Sequence, residues 1–189
     1  ITFGNRRCSA LLQAPGVAAA ELARAALLAS QGDDTPEGKS IVEYLASLQP
    51  LALPAPDGMR LIAFSAETRL SGVDVDGLAY RKGAVDAVLA YLGLGRDGMP
   101  AALASEVEKI AKSGGTPLLV AAGGRLLGAI HLKDVVKPGI RERFAELRAM
   151  GIRTVMVTGD NPLTAAAIAA ESATPARFGP VTAAPHGPD

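Results

Sequence analysis

Residues 61–84, LIAFSAETRLSGVDVDGLAYRKGA, constrain the fold more than any other stretch of the sequence. An extended run begins near Ile62, and Val73 and Val75 alternate with polar neighbours, which is the pattern of a strand. The pair Asp76-Gly77 comes next, and glycine accepts the positive φ that tight hairpin turns require. The stretch is therefore predicted to fold as a β-hairpin whose second strand carries Tyr-Arg-Lys-Gly at residues 80–83.

Folding this hairpin would bring Phe64, Ser71 and Lys82 towards one surface, beside Gly83, which has no side chain. An aromatic face, a hydroxyl and an ammonium suit a flat base followed by phosphates. However, a strand phenylalanine is more often part of the core, and a lysine is usually a solvated charge. Residue types and spacing alone leave both interpretations open.

Composition limits the other function classes. The 189 residues suit one large or two small domains, and 19 basic residues balance 19 acidic ones, so no basic surface for nucleic acid is predicted. Cys8 is the only cysteine, which excludes an intramolecular disulfide. Because no apolar run approaches the ~20 residues that span a bilayer, we expect a soluble chain without a transmembrane segment.

The first two thirds of the chain predict helices packed on an antiparallel sheet. Helical spacing runs over residues 17–30, and a second helix begins near Thr35, where Thr35 suits the N-cap and Glu37 the first turn. After the hairpin, helices are predicted at 85–92 and 102–112. Aliphatic strands follow at 116–122 and 125–132, joined by a Gly-Gly turn. This order predicts an α+β domain.

The pattern changes from residue 133 onward. An amphipathic helix is predicted over 138–150, then a continuous apolar strand over 152–157, the polar turn Thr158-Gly159-Asp160, and a helix over 162–170. This is half of a doubly wound (Rossmann-type) α/β fold, whose sites lie at the carboxyl ends of the strands. Residues 172–189 are rich in proline without periodicity and are predicted to be a disordered tail.

The segment FSAETRLSG followed by RKGA resembles the nucleotide-binding domain of P-type ATPases, most specifically the ATP-binding subunit of Kdp-type potassium-transporting pumps. The Met-Gly-Ile and Thr-Gly-Asp motifs resemble the haloacid-dehalogenase-like phosphorylation domain of the same family. The resemblance covers about residues 1–171. It implies a stub following the phosphorylation motif (1–5), a nucleotide-binding domain (6–132) and a partial phosphorylation domain (133–171).

The resemblance also implies roles for individual residues. Adenine would stack on Phe64, Lys82 would lie beside the base or the phosphates, and Gly83 would permit close approach. Ser71 and Arg69 would add polar contacts. The remaining residues implied by the family are two acidic groups bordering the ATP site, Asp33 and Glu37, and three at the phosphoryl end, Thr158, Gly159 and Asp160.

The family reaction moves the γ-phosphoryl group of ATP to an aspartate with the help of Mg²⁺, and drives K⁺ uptake. The resemblance places the parent subunit at the cytoplasmic face of the bacterial plasma membrane, with a potassium-channel-like subunit and accessory subunits as partners. The family nucleophile would precede Ile1, and carboxylates that help hold Mg²⁺ would follow Ala170. This chain is therefore expected to bind ATP without hydrolysing it, with no catalytic residue or metal ligand of its own.

Two alternatives compete with this interpretation. Asp74-Val75-Asp76-Gly77 matches the Asp-x-Asp-Gly nucleophile motif of dehalogenase-like phosphatases. That motif needs a buried apolar strand before it, whereas Ser71 and Gly72 interrupt the run here, so a hairpin turn is favoured. The other alternative is a structural remnant that binds nothing, which the sequence leaves open.

Overall fold

The computed structural model describes residues 2–48, 58–155 and 162–172. The chain divides into two compact units, one comprising Thr2–Val135 and the other Val136–Asp189 together with Ile1. In chain order, the elements up to the end of the sheet are β1 (Thr2–Gln13), α1 (Ala19–Ala29), α2 (Pro36–Leu48), β2 (Arg60–Ile62), β3 (Leu70–Val75), β4 (Leu78–Ala84), α3 (Val85–Tyr91), a 3₁₀ helix (Arg96–Gly98), α4 (Ala101–Lys112), β5 (Thr116–Ala122) and β6 (Arg125–Val136).

The strands form a six-stranded sheet in the order β1-β6-β5-β4-β3-β2. Every pairing from β2 to β6 is antiparallel. The predicted hairpin is confirmed: Ser71 pairs with Lys82 in register, and Asp76 and Gly77 both have positive φ, 51° and 72°. Positive φ at both central residues is the geometry of a type I′ turn, which matches the twist of the flanking strands.

Helices cover the sheet on both faces. Because successive strand residues point to opposite faces, Val120 packs with α1 and α2 whereas Leu119 packs with α3 and α4. Small aliphatic side chains such as Ala25, Ala26 and Leu22 fill the α1 layer, and each fully buried leucine contributes about 2 kcal/mol. The predicted antiparallel sheet flanked by helices is therefore the observed fold.

Strand β1 was not predicted. It runs over Thr2–Gln13, so the expected boundary at residue 6 lies inside a strand, and residues 2–5 continue directly into it. The strand escaped prediction because Arg6 and Arg7 interrupt any alternation and its partner β6 lies more than a hundred residues away. The backbone N–H of Cys8 donates to Oγ of Ser40 at 3.1 Å, which ties α2 to this edge of the sheet.

The second unit contains α5 (Ile140–Ala149) and α6 (Pro162–Ser172), which confirms both predicted helices. The strand predicted over 152–157 is wrong for its described part, since residues 152–155 are not in a strand. A parallel strand needs a neighbour to accept its hydrogen bonds, and beyond Val136, where β6 ends, none of the described residues of this unit lies in a strand. Ser172, assigned to the tail, is the last residue of α6. Residues 156–161 and 173–189 lie outside the described part.

None of the helices in the described ranges has the length and apolar character that a bilayer crossing requires.

Candidate functional site

A cleft of about 250 Å³ opens where the start of α2 meets the sheet. Its apolar wall consists of one aromatic ring and three aliphatic side chains: Phe64, Ala84, Leu118 and Leu132. Charged and hydroxyl-bearing side chains complete it: Arg6, Asp33, Thr35, Glu37, Arg69, Lys82 and Thr116. Gly83 also lines it. The cleft thus gathers six of the seven residues predicted for the nucleotide site; Ser71 does not line it.

Lys82 and Asp33 form a buried ion pair at the base of the cleft. Nζ of Lys82 contacts Oδ2 of Asp33, and the two side chains are only 2% and 4% exposed. Ser71 lies opposite Lys82 in the hairpin register. Its hydroxyl donates to the carbonyl of Ala29 at 3.2 Å and approaches Oδ2 of Asp33 at 3.5 Å. Ser71 therefore supports the ion pair from behind, inside the protein.

The ion pair shapes the ionisation of both groups. Burial raises the pKa of Asp33, but the hydrogen bond and charge of Lys82 and the hydrogen bonds from Thr35 outweigh it, so the pKa of Asp33 is lowered. Burial lowers the pKa of Lys82, against the raising effects of Asp33 and Glu37. A desolvated ammonium without a counter-charge is costly. Asp33 is therefore the group that stabilises the charged form of the buried Lys82 side chain.

Phe64 lies in the loop between β2 and β3, not within a strand. Its side chain lines the cleft and is 43% exposed, which is too much for a core residue. Arg69 ends this loop with a φ of 53°, a left-handed conformation that is uncommon for a residue with a side chain. Its guanidinium pairs with Asp86 at the start of α3, and both are half exposed. The cleft therefore has an aromatic ring and a cation at its mouth.

Gly83 has a packing reason for lacking a side chain. A Cβ atom there would collide with the backbone carbonyl oxygen of Arg69 and lie 2.8 Å from Cδ2 of Leu70. Leu70 is the residue paired with Gly83 in the hairpin. Close contact between β4 and the start of β3 thus requires glycine even without a ligand. The role of Gly83 in ligand approach stays a prediction.

Sequence reasoning missed several lining residues, above all Arg6. Arg6 lies on the unpredicted strand β1, and its guanidinium donates to Oγ1 of Thr116 on β5. Leu118 and Leu132 come from the strands of the second hairpin. No local sequence pattern marks these residues, because it is the order of the strands in the sheet that brings them to the cleft. Thr35 was interpreted as a helix cap alone, yet it also lines the cleft.

The motif-like carboxylates Asp74 and Asp76 form no catalytic pair. Asp76 lies in the turn, and Asp74 contacts Arg81 on the neighbouring strand, with Oδ1 at 2.6 Å from Nη2. The guanidinium of Arg81 also lies 5.4 Å from the centre of the Tyr91 ring. The chain returns as β4 directly after the turn. A nucleophile loop followed by a helix is absent at this place, so the phosphatase interpretation of this motif is wrong.

Thr158, Gly159 and Asp160 lie outside the described residues. Across residues 2–48, 58–155 and 162–172, no cluster of three or more histidine, cysteine or acidic side chains suits a metal ion. The described carboxylate Asp33 is already bound by Lys82 and Thr35. These residues do not fit a magnesium site.

The chain is similar to known proteins over most of its length. A family model described as haloacid dehalogenase-like hydrolase matches residues 3–184. A potassium-transporting ATPase ATP-binding subunit from Pseudomonas aeruginosa is 74% identical over 172 residues, which cover 91% of this chain and 25% of that protein. The chain thus spans about a quarter of the length of the curated relatives it matches.

Two solved structures extend the comparison. A crystal structure of a zinc-transporting PIB-type ATPase has a TM-score of 0.74 and 28% identity, over 93% of this chain and 27% of that one. The N-domain of a copper-transporting P-type ATPase has a TM-score of 0.50 and 15% identity, over 68% of this chain and 98% of that one. The latter similarity concerns the fold alone. From the family match, the chain belongs to the haloacid dehalogenase-like hydrolases, and within them it is similar to the ATP-binding subunits of potassium-transporting P-type ATPases.

Proposed function

We propose that the cleft beside α2 binds ATP. The observation that carries this proposal is the convergence of Phe64, Lys82 and Arg69 on one cleft, although the β2–β3 loop supplies the first and last of them and strand β4 supplies the lysine. A half-exposed aromatic ring offers a stacking surface for a base, and such stacking contributes about 1–3 kcal/mol per base. The aliphatic side chains that also line the cleft are suited to pack against an edge of the adenine ring.

The cations of the cleft suit the phosphates. Arg69 and Arg6 present guanidinium groups, which bind phosphate oxygens through two parallel hydrogen bonds. Their present partners, Asp86 and Thr116, are accessible groups that a phosphate would replace at low cost. Lys82 acts differently, because Asp33 already neutralises it. It contributes a fixed dipole at the base of the cleft, and Glu37 borders the site.

The similarity to the relatives supports a proposal for the wider role. We propose that the chain is the ATP-binding portion of a potassium-transporting P-type ATPase, with residues 6–132 as the nucleotide-binding domain and 133–171 as part of the phosphorylation domain. In that role Thr158, Gly159 and Asp160 belong to the phosphoryl end. The parent subunit uses ATP with Mg²⁺ at the cytoplasmic side of the membrane and assembles with channel-like and accessory subunits.

The test is a titration of the ¹⁵N-labelled chain with ATP, followed by amide shifts. Shifts should saturate and cluster at residues 33–37, 64–71 and 82–84. If ATP bound on the opposite face of the sheet, the amide signals of residues such as Leu119 and Ala121, which pack against α3 and α4, would shift instead. The proposal fails if no saturable shift occurs, or if the shifts cluster on that opposite face.

A further inference from the structure

The Thr35 hydroxyl has two partners, only one of which a helix cap requires. Oγ1 of Thr35 accepts a hydrogen bond from the backbone N–H of Gly38 at 3.1 Å, which caps the start of α2. The same hydroxyl donates to Oδ1 of Asp33 at 2.6 Å. The backbone N–H of Thr35 donates to that oxygen too, at 3.1 Å. The donated bonds direct the carboxylate and add nothing to the cap.

The two oxygens of Asp33 are divided between two sets of partners. Oδ1 accepts from Thr35, whereas Oδ2 contacts the ammonium of Lys82 and lies 3.5 Å from the hydroxyl of Ser71. Bonds on both sides fix the rotation of the carboxylate plane as well as its position. Both oxygens are thus engaged inside the protein, so Asp33 acts on Lys82 in preference to a ligand.

Gly38 gives independent support for this arrangement. A Cβ atom at Gly38 would lie 2.5 Å from Cγ of Asp33 and 2.8 Å from its Cβ. The Asp33 side chain therefore packs directly against the first turn of α2, in space that any other residue at position 38 would fill. The first turn of the helix, its cap and the carboxylate form one packed unit.

The position of the Lys82 charge depends on this unit. A lysine side chain has a flexible four-carbon stem and three donors that rotate freely, so burial alone does not place its ammonium. Only a fixed counter-charge does. Asp33, Thr35 and Lys82 all line the cleft, which means that a shift of the carboxylate would move the charge that the cleft presents.

We propose that Thr35 is a positioning residue, which holds the Asp33 carboxylate and, through it, the Lys82 ammonium at the base of the cleft. The expected effect of Thr35 on ATP affinity rests on the proposed nucleotide-binding function. The placement of Lys82 is a property of the chain without ligand. The two parts can therefore be measured separately.

The experiment compares Thr35→Gly and Thr35→Ser in the full chain. Glycine caps a helix nearly as well as threonine and keeps the backbone N–H, so Thr35→Gly removes mainly the hydroxyl bond to Asp33. Serine keeps the hydroxyl and should restore the arrangement. Val107→Ala is the control for a general loss of stability, because Val107 lies in the core on the opposite face of the sheet.

Two quantities are measured beside the free energy of unfolding. The first is the rate at which an acetylating reagent modifies Lys82, read by peptide mass spectrometry. Since the lost hydrogen bond is worth about 0.5–1.5 kcal/mol, the rate should rise about two- to tenfold in Thr35→Gly and remain near the starting value in Thr35→Ser and Val107→Ala. The second is the Kd for ATP, which should rise by a similar factor in Thr35→Gly alone.

The outcomes separate the two proposals. An unchanged acetylation rate in Thr35→Gly overturns the positioning role, whether or not the chain binds ATP. An equal acceleration in Val107→Ala overturns it as well, because general opening would then explain the result. Faster acetylation in Thr35→Gly of a chain that shows no saturable ATP binding supports the positioning role and overturns the proposed nucleotide site.

Discussion

Asp33 and Lys82 form a buried ion pair that joins the start of α2 to the middle of the sheet, across 49 positions of sequence. Lys82 is among the largest fully buried side chains of the protein. A buried pair of this kind is not in itself a strong source of stability, but removal of one partner leaves an uncompensated charge. The pair therefore makes the base of the cleft sensitive to single substitutions.

Asp33→Asn should destabilise the fold by about 3–5 kcal/mol, because it strands the Lys82 ammonium in the interior. The measurement is the free energy of unfolding from denaturant titrations at neutral pH. Asp34→Asn is the matched control, since Asp34 is exposed next to it and should cost no more than about 0.5 kcal/mol. Equal effects of the two substitutions would show that the ion pair does not matter.

The same pair predicts an acid limb in the stability of the unmodified chain. The pKa of Asp33 is lowered below 3.8 in the folded state, so the unfolded state binds its proton first as the pH falls. The stabilisation is fully present above this unfolded value and is lost as the pH falls through the folded pKa. Unfolding titrations between pH 6 and 2, compared with Asp33→Asn, should show a shallower loss in the variant. Parallel curves would contradict the assignment.

Phe64→Ala should weaken ATP binding by about 1–3 kcal/mol if the ring stacks on the base. Because the ring is 43% exposed, the free energy of unfolding should change little. Leu61→Ala is the matched control, as Leu61 is another exposed apolar residue, on β2 and outside the lining of the cleft. Calorimetric titration of both variants gives the answer, and equal affinities would remove Phe64 from the site.

Local sequence signals were enough to predict most of the sheet and its helices. The Asp76-Gly77 pair carries its own turn geometry, and Thr35 marks the start of α2 by capping it. Both signals act over a few residues, so they do not depend on the rest of the fold. Strand β1 has no such signal: its arginines interrupt the pattern, and only pairing with β6 makes it a strand.

Only some of the residues that line the cleft were predictable from the sequence, and their arrangement was not. Phe64 and Lys82 were grouped by the hairpin, and the structure brings both to the cleft. The pairing of Lys82 with Asp33, and the burial of Ser71 behind it, depend on how α2 packs on the sheet. Periodicity and spacing carry no information about contacts of that range, since they follow from strand order and helix packing.

Asp74→Asn should leave the rate of phosphate release unchanged and should lower the free energy of unfolding by about 1 kcal/mol. The cost arises because Asp74 contacts the nearly buried guanidinium of Arg81 while being partly exposed itself. Asp76→Asn is the matched control: Asn-Gly suits a type I′ turn as well as Asp-Gly does, so its stability should be unchanged. Phosphate release from a chromogenic ester that disappears in Asp74→Asn would revive the phosphatase interpretation.

Gly83→Ala should destabilise the hairpin by about 1–3 kcal/mol, the usual cost of forcing extra atoms into a packed site. The added methyl group would collide with the Arg69 carbonyl and approach the Leu70 side chain, so either β3 shifts or the loop carrying Phe64 moves. Gly95→Ala is the control. Gly95 has a φ of −76° and an open surrounding, and it should tolerate the change.

The decisive comparison for Gly83 is between stability and binding. If packing alone requires glycine, Gly83→Ala should lower the free energy of unfolding. The protein that remains folded should still bind ATP, and its affinity should change only if the loop that carries Phe64 is displaced. Amide shifts confined to residues 65–72 in the free protein would show that displacement. An intact free energy of unfolding with lost ATP binding would instead show that Gly83 is needed for the ligand, and that the collision with Arg69 is relieved without cost.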